Sequence, residues 1–111
     1  MKFLDEGKMA GVRAALEADL MTWPGVKAKE MMGCLCYFRG KKFFAFLVTD
    51  GLVLTKLDKD GRSQLAAAVA SKPFEMSGRT ASSWLQVSVK KAGDLRALMP
   101  YVRKSYDAAA R

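Results

Sequence analysis

Residues 31–57, MMGCLCYFRGKKFFAFLVTDGLVLTKL, alternate apolar runs with two tight turn signals and read as three β-strands. Gly40-Lys41 joins residues 34–39 to 43–49, and Asp50-Gly51, a strong hairpin dipeptide, joins these to 52–57. If both loops have two residues, Phe38 faces Phe43, Cys36 faces Ala45 and Leu47 faces Leu54 on one side of the sheet. Tyr37 then faces Phe44 and Val48 faces Val53 on the other side, which Phe46 joins. Both faces are apolar and both need cover. Helices on both sides would supply it, as would helices on one side and a second subunit on part of the other, and the pattern favours the dimer.

The remaining segments supply that cover. Met9, Val12, Leu16 and Leu20 recur at helical spacing between residues 5 and 21, and Trp23-Pro24-Gly25 ends that helix. A strand is expected at 26–31, and Asp58-Lys59-Asp60-Gly61 leads into a helix over 62–70 that buries Leu65 and Val69. The aspartates do not follow calcium-loop spacing, because Gly61 stands fourth from Asp58 and position twelve is Val69. Residues 72–83, with Pro73, Gly78 and several hydroxyl side chains, read as a loop, and 84–89 alternate as a strand. Asp94 caps a final helix running to about residue 110, with Leu95, Leu98, Val102, Tyr106 and Ala109 buried and Pro100 marking a kink or a fresh start. The expected architecture is one α+β domain over 1–111, in the order α-β-β-β-β-α-β-α, with an antiparallel sheet of about five strands packed against helices.

The composition excludes several function classes. No apolar run approaches the roughly 20 residues of a membrane span. Met1-Lys2-Phe3-Leu4 passes directly into Asp5-Glu6 without an apolar signal core, so a cytoplasmic location is expected. There is no histidine, no GxSxG elbow, no phosphate-cradling GxxxxGK[ST] and no GxGxxG after a strand. Without a base beside a nucleophile no enzyme is expected, and no cofactor or metal site either. Cys34 and Cys36 share one face of an extended strand, a geometry poor for bridging, and are expected to be free, buried thiols, with redox sensing a remote alternative.

The net charge is +8, and residues 25–60 and 61–111 carry +3 and +6 of it against −1 for residues 1–24. Such a field attracts nucleic acid and also keeps a small protein soluble. The first hairpin tip, Phe38-Arg39-Gly40-Lys41-Lys42-Phe43, sets Arg39 opposite Lys42, a like-charge pair that an anionic partner would relieve. Lysine at a strand end also discourages edge-to-edge pairing, which is the competing explanation.

Val26-Lys27-Ala28-Lys29-Glu30-Met31-Met32-Gly33, Tyr37, Gly40-Lys41-Lys42-Phe43-Phe44-Ala45, Asp50-Gly51-Leu52-Val53-Leu54 and Pro73-Phe74 together resemble the N-terminal domain family of the competence regulator TfoX. Trp84-Leu85-Gln86-Val87, Leu95, Leu98, Val102 and Ser105-Tyr106 are also similar to the related MmcQ/YjbR proteins. The chain departs from the TfoX pattern at Met32 and Cys34, where an aromatic residue and a second glycine are usual, and at Val53 and Thr55, where the third strand lacks its common aromatic. The resemblance implies an α+β domain with an antiparallel sheet, no catalytic residues, and an association with regulation of competence genes. The YjbR likeness implies a double-wing DNA-binding fold in which a hairpin acts as a wing. The first expectation is therefore a non-enzymatic regulatory module that binds DNA weakly through Arg39, Lys41 and Lys42, extended by Arg79, Lys90 and Lys91. The alternative is a dimeric protein-interaction module whose apolar sheet face is its working surface.

Overall fold

The computed structural model describes residues 6–31, 33–49, 51–76 and 79–110, with the backbone alone described for Glu6, Met76, Arg79, Ala81 and Ser82. Helix α1, Glu6–Leu20, precedes four strands, β1 (Val26–Met31), β2 (Cys34–Arg39), β3 (Lys42–Val48) and β4 (Gly51–Leu54). Helix α2 (Lys59–Ala68), strands β5 (Ser71–Met76) and β6 (Arg79–Ser88), a 3-10 turn at Ala92–Leu95 and helix α3 (Met99–Ala108) complete the chain. All strand pairs are antiparallel, in the order β1-β2-β3-β4-β6-β5. The α+β class and the antiparallel sheet packed against helices are as the sequence predicts.

All three helices bury their apolar stripes on one face of the sheet. Met9, Val12, Leu16 and Leu20 of α1, Leu65 of α2 and Val102 and Tyr106 of α3 share a core with Leu35, Tyr37, Phe44, Ala45, Leu47, Leu52 and Leu54. Asp58 caps α2 by accepting from the Gly61 N–H at 2.7 Å, so the helix starts at Lys59 rather than at Arg62. Asp94 caps the 3-10 turn rather than a long helix, and α3 begins afresh with Pro100 in its first turn, where a missing N–H costs nothing.

The strand register differs from the two-residue-loop expectation in two places. Phe38 pairs with Phe43 and Arg39 with Lys42 as predicted, but the ladder then shifts, and Tyr37 pairs with Ala45, Cys36 with Phe46 and Leu35 with Leu47. Phe44 is the extra residue of a β-bulge, so Phe44 and Ala45 both serve the helix face and Phe46 turns to the cysteine side. In the next pair Leu47 stands opposite Leu52 rather than Leu54, and Val48 opposite Gly51. Gly51 is thus a strand residue, placed where a Cβ would come within 3.0 Å of Gln86 Nε2 and 3.1 Å of the Val87 carbonyl of β6. Asp50, the other half of the expected turn, lies outside the described residues.

The expected loop at 72–83 is mostly sheet. Pro73 is tolerated because β5 is an edge strand, where a missing N–H breaks no ladder, and its turn-like composition hid the alternation around Phe74. Pro73 pairs with Leu85 but Phe74 with Ala81, which leaves three residues of β6, Ser82, Ser83 and Trp84, without a partner on β5. The hairpin bends there. Phe46 on β3 and Phe74 on β5 are three strand positions apart, about 14 Å in a flat sheet, yet their ring centroids lie 4.9 Å apart. The far half of the β5–β6 hairpin therefore folds over the sheet face opposite the helices. Phe46, Phe74, Cys34, Cys36, Val48 and Val53 form a second buried cluster beneath it, flanked by Met31, Phe38, Phe43 and Trp84. Much of the cover that a second subunit would provide comes from the same chain.

Ser105 of α3 secures the bulge. Its hydroxyl donates to the Phe44 carbonyl at 2.6 Å and accepts from the Lys56 N–H at 3.0 Å, and the side chain is fully buried. Ser105→Ala leaves the Lys56 N–H without its acceptor and the Phe44 carbonyl with the Thr55 N–H alone, and is expected to cost about 1–3 kcal/mol. Urea titration checks this, and a midpoint unchanged from the native chain would mean the bulge does not depend on the clamp.

Candidate nucleic-acid interface

Arg39, the first of the expected DNA-binding residues, is engaged by α3. Its guanidinium lies 4.1 Å from the centroid of the Tyr106 ring, Nη1 donates to the Tyr106 carbonyl at 3.2 Å, and Asp107 Oδ1 stands 4.0 Å away. Tyr106 is fixed in turn by Trp23 at 5.0 Å and Phe44 at 5.4 Å between ring centroids, and by donating to the Pro24 carbonyl at 2.6 Å. The Arg39–Lys42 repulsion foreseen at the hairpin tip is offset within the chain by Asp107 and the Tyr106 ring. A planar, weakly hydrated guanidinium suits that stacked position.

The other expected residues are not brought together. Lys41 sits in the turn whose Gly40 adopts φ +63°, and is exposed. Lys42, on β3 beside Phe43, is directed by strand alternation to the Arg39 side of the sheet. Lys90 and Lys91 follow Ser88, which pairs with Gly51, so they lie at the end of the sheet opposite Gly40. Six residue steps along β3, about 20 Å, separate the two ends. The Lys90 and Lys91 backbone N–H groups donate to Asp94 Oδ2 at 3.0 and 3.3 Å, and these bonds, Lys90's foremost, hold the Asp94 carboxyl below its ordinary range. Arg79 opens β6, and its side chain lies outside the described residues.

A different basic cluster appears on the face that the helices leave free. In the β1–β2 register Lys27 pairs with Phe38, Lys29 with Cys36 and Met31 with Cys34, so both lysines project on the same side as the second cluster. With Lys41 they rim a groove of about 460 Å³ whose apolar floor is Phe38 and Met31. Lys27, Lys29 and Lys41 are exposed and have no hydrogen-bond or ion-pair partner among the described residues. The half-buried rings of Phe38, Phe43 and Trp84 continue from the groove across β2, β3 and β6, with successive centroids 5.8 and 5.4 Å apart. Lys56 Nζ stands 5.9 Å from the Phe43 ring. The signal for Lys27 and Lys29 was present in the alternation of Val26 to Met31, but only the pairing with β2 shows which face they share with Phe38.

Among the described residues no cluster of His, Cys, Asp or Glu could hold a metal ion, and no helix is long and apolar enough to cross a membrane. The TfoX N-terminal domain matches residues 18–109. The chain belongs to the TfoX N-terminal domain family. This is a non-catalytic domain generally linked to the regulation of competence and DNA uptake. No curated protein and no solved structure matches the chain.

Cys34 and Cys36 are free and buried beneath the folded hairpin. Burial first, and the neighbouring Cys36 second, push the Cys34 thiol up to about 11, and burial raises Cys36 as well. The Tyr37 hydroxyl, which donates to Glu17 Oε2 at 3.1 Å, is raised by burial and then by the Glu17 carboxylate. Such thiols are poor nucleophiles, which disfavours redox sensing.

Three outcomes follow from these placements. Arg39→Ala is expected to lower stability by about 1–2 kcal/mol through the lost ring and carbonyl contacts, whereas Lys41→Ala stays within about 0.5 kcal/mol. Equal losses in urea titration would contradict the division between a structural arginine and a free lysine. The raised thiols give a pH dependence: between about pH 9 and about pH 11 the folded chain retains a proton on Cys34 that the unfolded chain releases. The stability they contribute is complete below that window and declines as the pH rises through it, so urea midpoints should fall. Thiol reagents should label the native chain far more slowly than the unfolded one, and equal rates would show that the hairpin does not shield the cysteines.

Proposed function

We propose that this chain is a cytoplasmic, non-enzymatic regulatory module that engages DNA weakly through the helix-free face of its sheet. The observation that supports this most directly is the rim of Lys27, Lys29 and Lys41, three exposed cations with no partner among the described residues, around one groove. An ammonium group without a carboxylate is free to replace a counterion at a phosphate, and three such groups on one surface make binding strongly salt-dependent. The hairpin tip contributes Lys41, while Arg39 acts through the fold, keeping β2 and the tip in place against α3. The family's link to competence and DNA uptake is consistent with such a role and does not depend on catalysis.

The test is duplex-DNA binding by fluorescence anisotropy across a salt series, comparing the native chain with the Lys27→Ala, Lys29→Ala, Lys41→Ala triple variant. Each lost phosphate contact should reduce the log–log salt slope by about 0.9, so the variant's slope should be shallower by up to about 2.7. An unchanged slope and affinity would assign the positive charge to solubility and favour a protein-interaction module in place of DNA binding. Sedimentation of the native chain would then show whether a second copy is the partner.

A further inference from the structure

We propose that the β1–β2 groove seats an unpaired nucleobase, so that this surface prefers single-stranded nucleic acid over duplex. This rests on the reading that the lysine-rimmed face meets nucleic acid, and it adds the strandedness of the ligand. Phe38 forms part of the groove floor, below a rim that carries Lys27, Lys29 and Lys41. Phe38 packs against Phe43 in a T-shaped contact, at 5.8 Å and 67° between ring planes. A base in a duplex has both of its faces stacked on neighbours and offers a protein only its groove edges. The rim lysines can reach duplex phosphates, but the Phe38 ring can be met face-on only by a base that has left the stack.

The dimensions agree with a strand rather than a duplex. About 460 Å³ falls within the range of small-molecule pockets and gives room for one base with its sugar. Lys27 and Lys29 are two residues apart on one face, about 6.6 Å along the strand, a step comparable to that between successive phosphates of an extended chain. Phe43 and Trp84 continue the aromatic row beyond the groove, and Lys56 stands beside Phe43. Aromatic rings interleaved with cations are how sequence-tolerant single-strand surfaces are built, since every base has a face to stack. An acidic peptide would satisfy the lysines but would leave the aromatic row without a matching partner.

The experiment titrates the native chain with a fluorescein-labelled oligothymidylate and with a labelled duplex of the same length, at one salt concentration and then across a series. The single strand is expected to bind at least about tenfold more tightly than the duplex. Phe38→Leu, which keeps the floor apolar, should weaken the single strand by about tenfold without changing the salt slope, and Phe38→Trp should restore it. The lysine triple variant should flatten the slope for both ligands. Duplex affinity equal to or above that of the single strand, with a lysine-dependent slope, would overturn strandedness while leaving DNA binding in place. Oligothymidylate binding that Phe38→Leu leaves unchanged would also overturn it. Loss of lysine dependence with both ligands would remove both readings. Polyglutamate that displaces the oligonucleotide at lower concentration than unlabelled oligothymidylate would overturn the inference in favour of an acidic peptide.

Discussion

The bulge at Phe44 determines which side chains each face of the sheet receives. Two consecutive residues of β3, Phe44 and Ala45, turn toward the helices, and from Phe46 onward the strand resumes normal alternation on the opposite phase. A bulge leaves backbone groups outside the regular ladder, and here they are bonded. The Phe44 carbonyl accepts from the Thr55 N–H at 3.1 Å and from the Ser105 hydroxyl at 2.6 Å, and the Phe43 carbonyl accepts from the Thr55 hydroxyl at 2.9 Å. The buried serine of α3 thus completes, with Thr55, the bonding of β3 at the bulge. The same helix carries Tyr106, which packs on Phe44 and holds Arg39. The bulge, α3 and the hairpin tip form one connected unit.

The phase change has its largest consequence on the other face. Because Phe46 joins Phe43 and Phe38 there, that surface becomes a continuous aromatic layer too apolar to remain open to water. The β5–β6 hairpin folds over it and places Phe74 on Phe46, with Trp84 against Phe43 and Phe46. Its cover is uneven. Phe46 and Phe74 are buried, whereas Phe38, Phe43, Met31 and Trp84 are only partly so, and the groove over β1 and β2 is what the hairpin leaves uncovered. The open site results from covering a wide sheet with a narrow hairpin.

The local elements were legible in the sequence and their long-range phase was not. The stripe of Met9, Val12, Leu16 and Leu20 and the pairing of Phe38 with Phe43 depend on neighbours close in sequence, where periodicity and turn chemistry are sufficient. The bulge is a different kind of feature, since its carbonyls are bonded by Thr55, just past the end of β4, and by Ser105, 61 positions away, and no local pattern in residues 42–48 signals it. Residues 72–83 carry the composition of a loop because an edge strand tolerates proline and hydroxyl side chains. The candidate site was half legible for the same reason. Lys41 stood at an evident turn, but the partnership of Arg39 with Tyr106 and the shared face of Lys27, Lys29 and Phe38 arise from contacts between elements.

Lysine at 27, 29 and 41 and arginine at 39 follow a physical division. Arginine loses less on partial burial and offers a flat cation that stacks on a ring, so at Arg39 it joins the hairpin to α3. Lysine keeps a compact, strongly hydrated charge on a flexible stem, which suits an exposed rim in contact with water. On β1, an edge strand, Lys27 and Lys29 also discourage pairing with another sheet, so their charge protects the fold whether or not a ligand is present. Protection alone does not require an apolar floor. Edge lysines over polar residues would block pairing equally well, whereas here they line a groove with the half-buried Phe38 and Met31, an apolar element that edge protection does not explain.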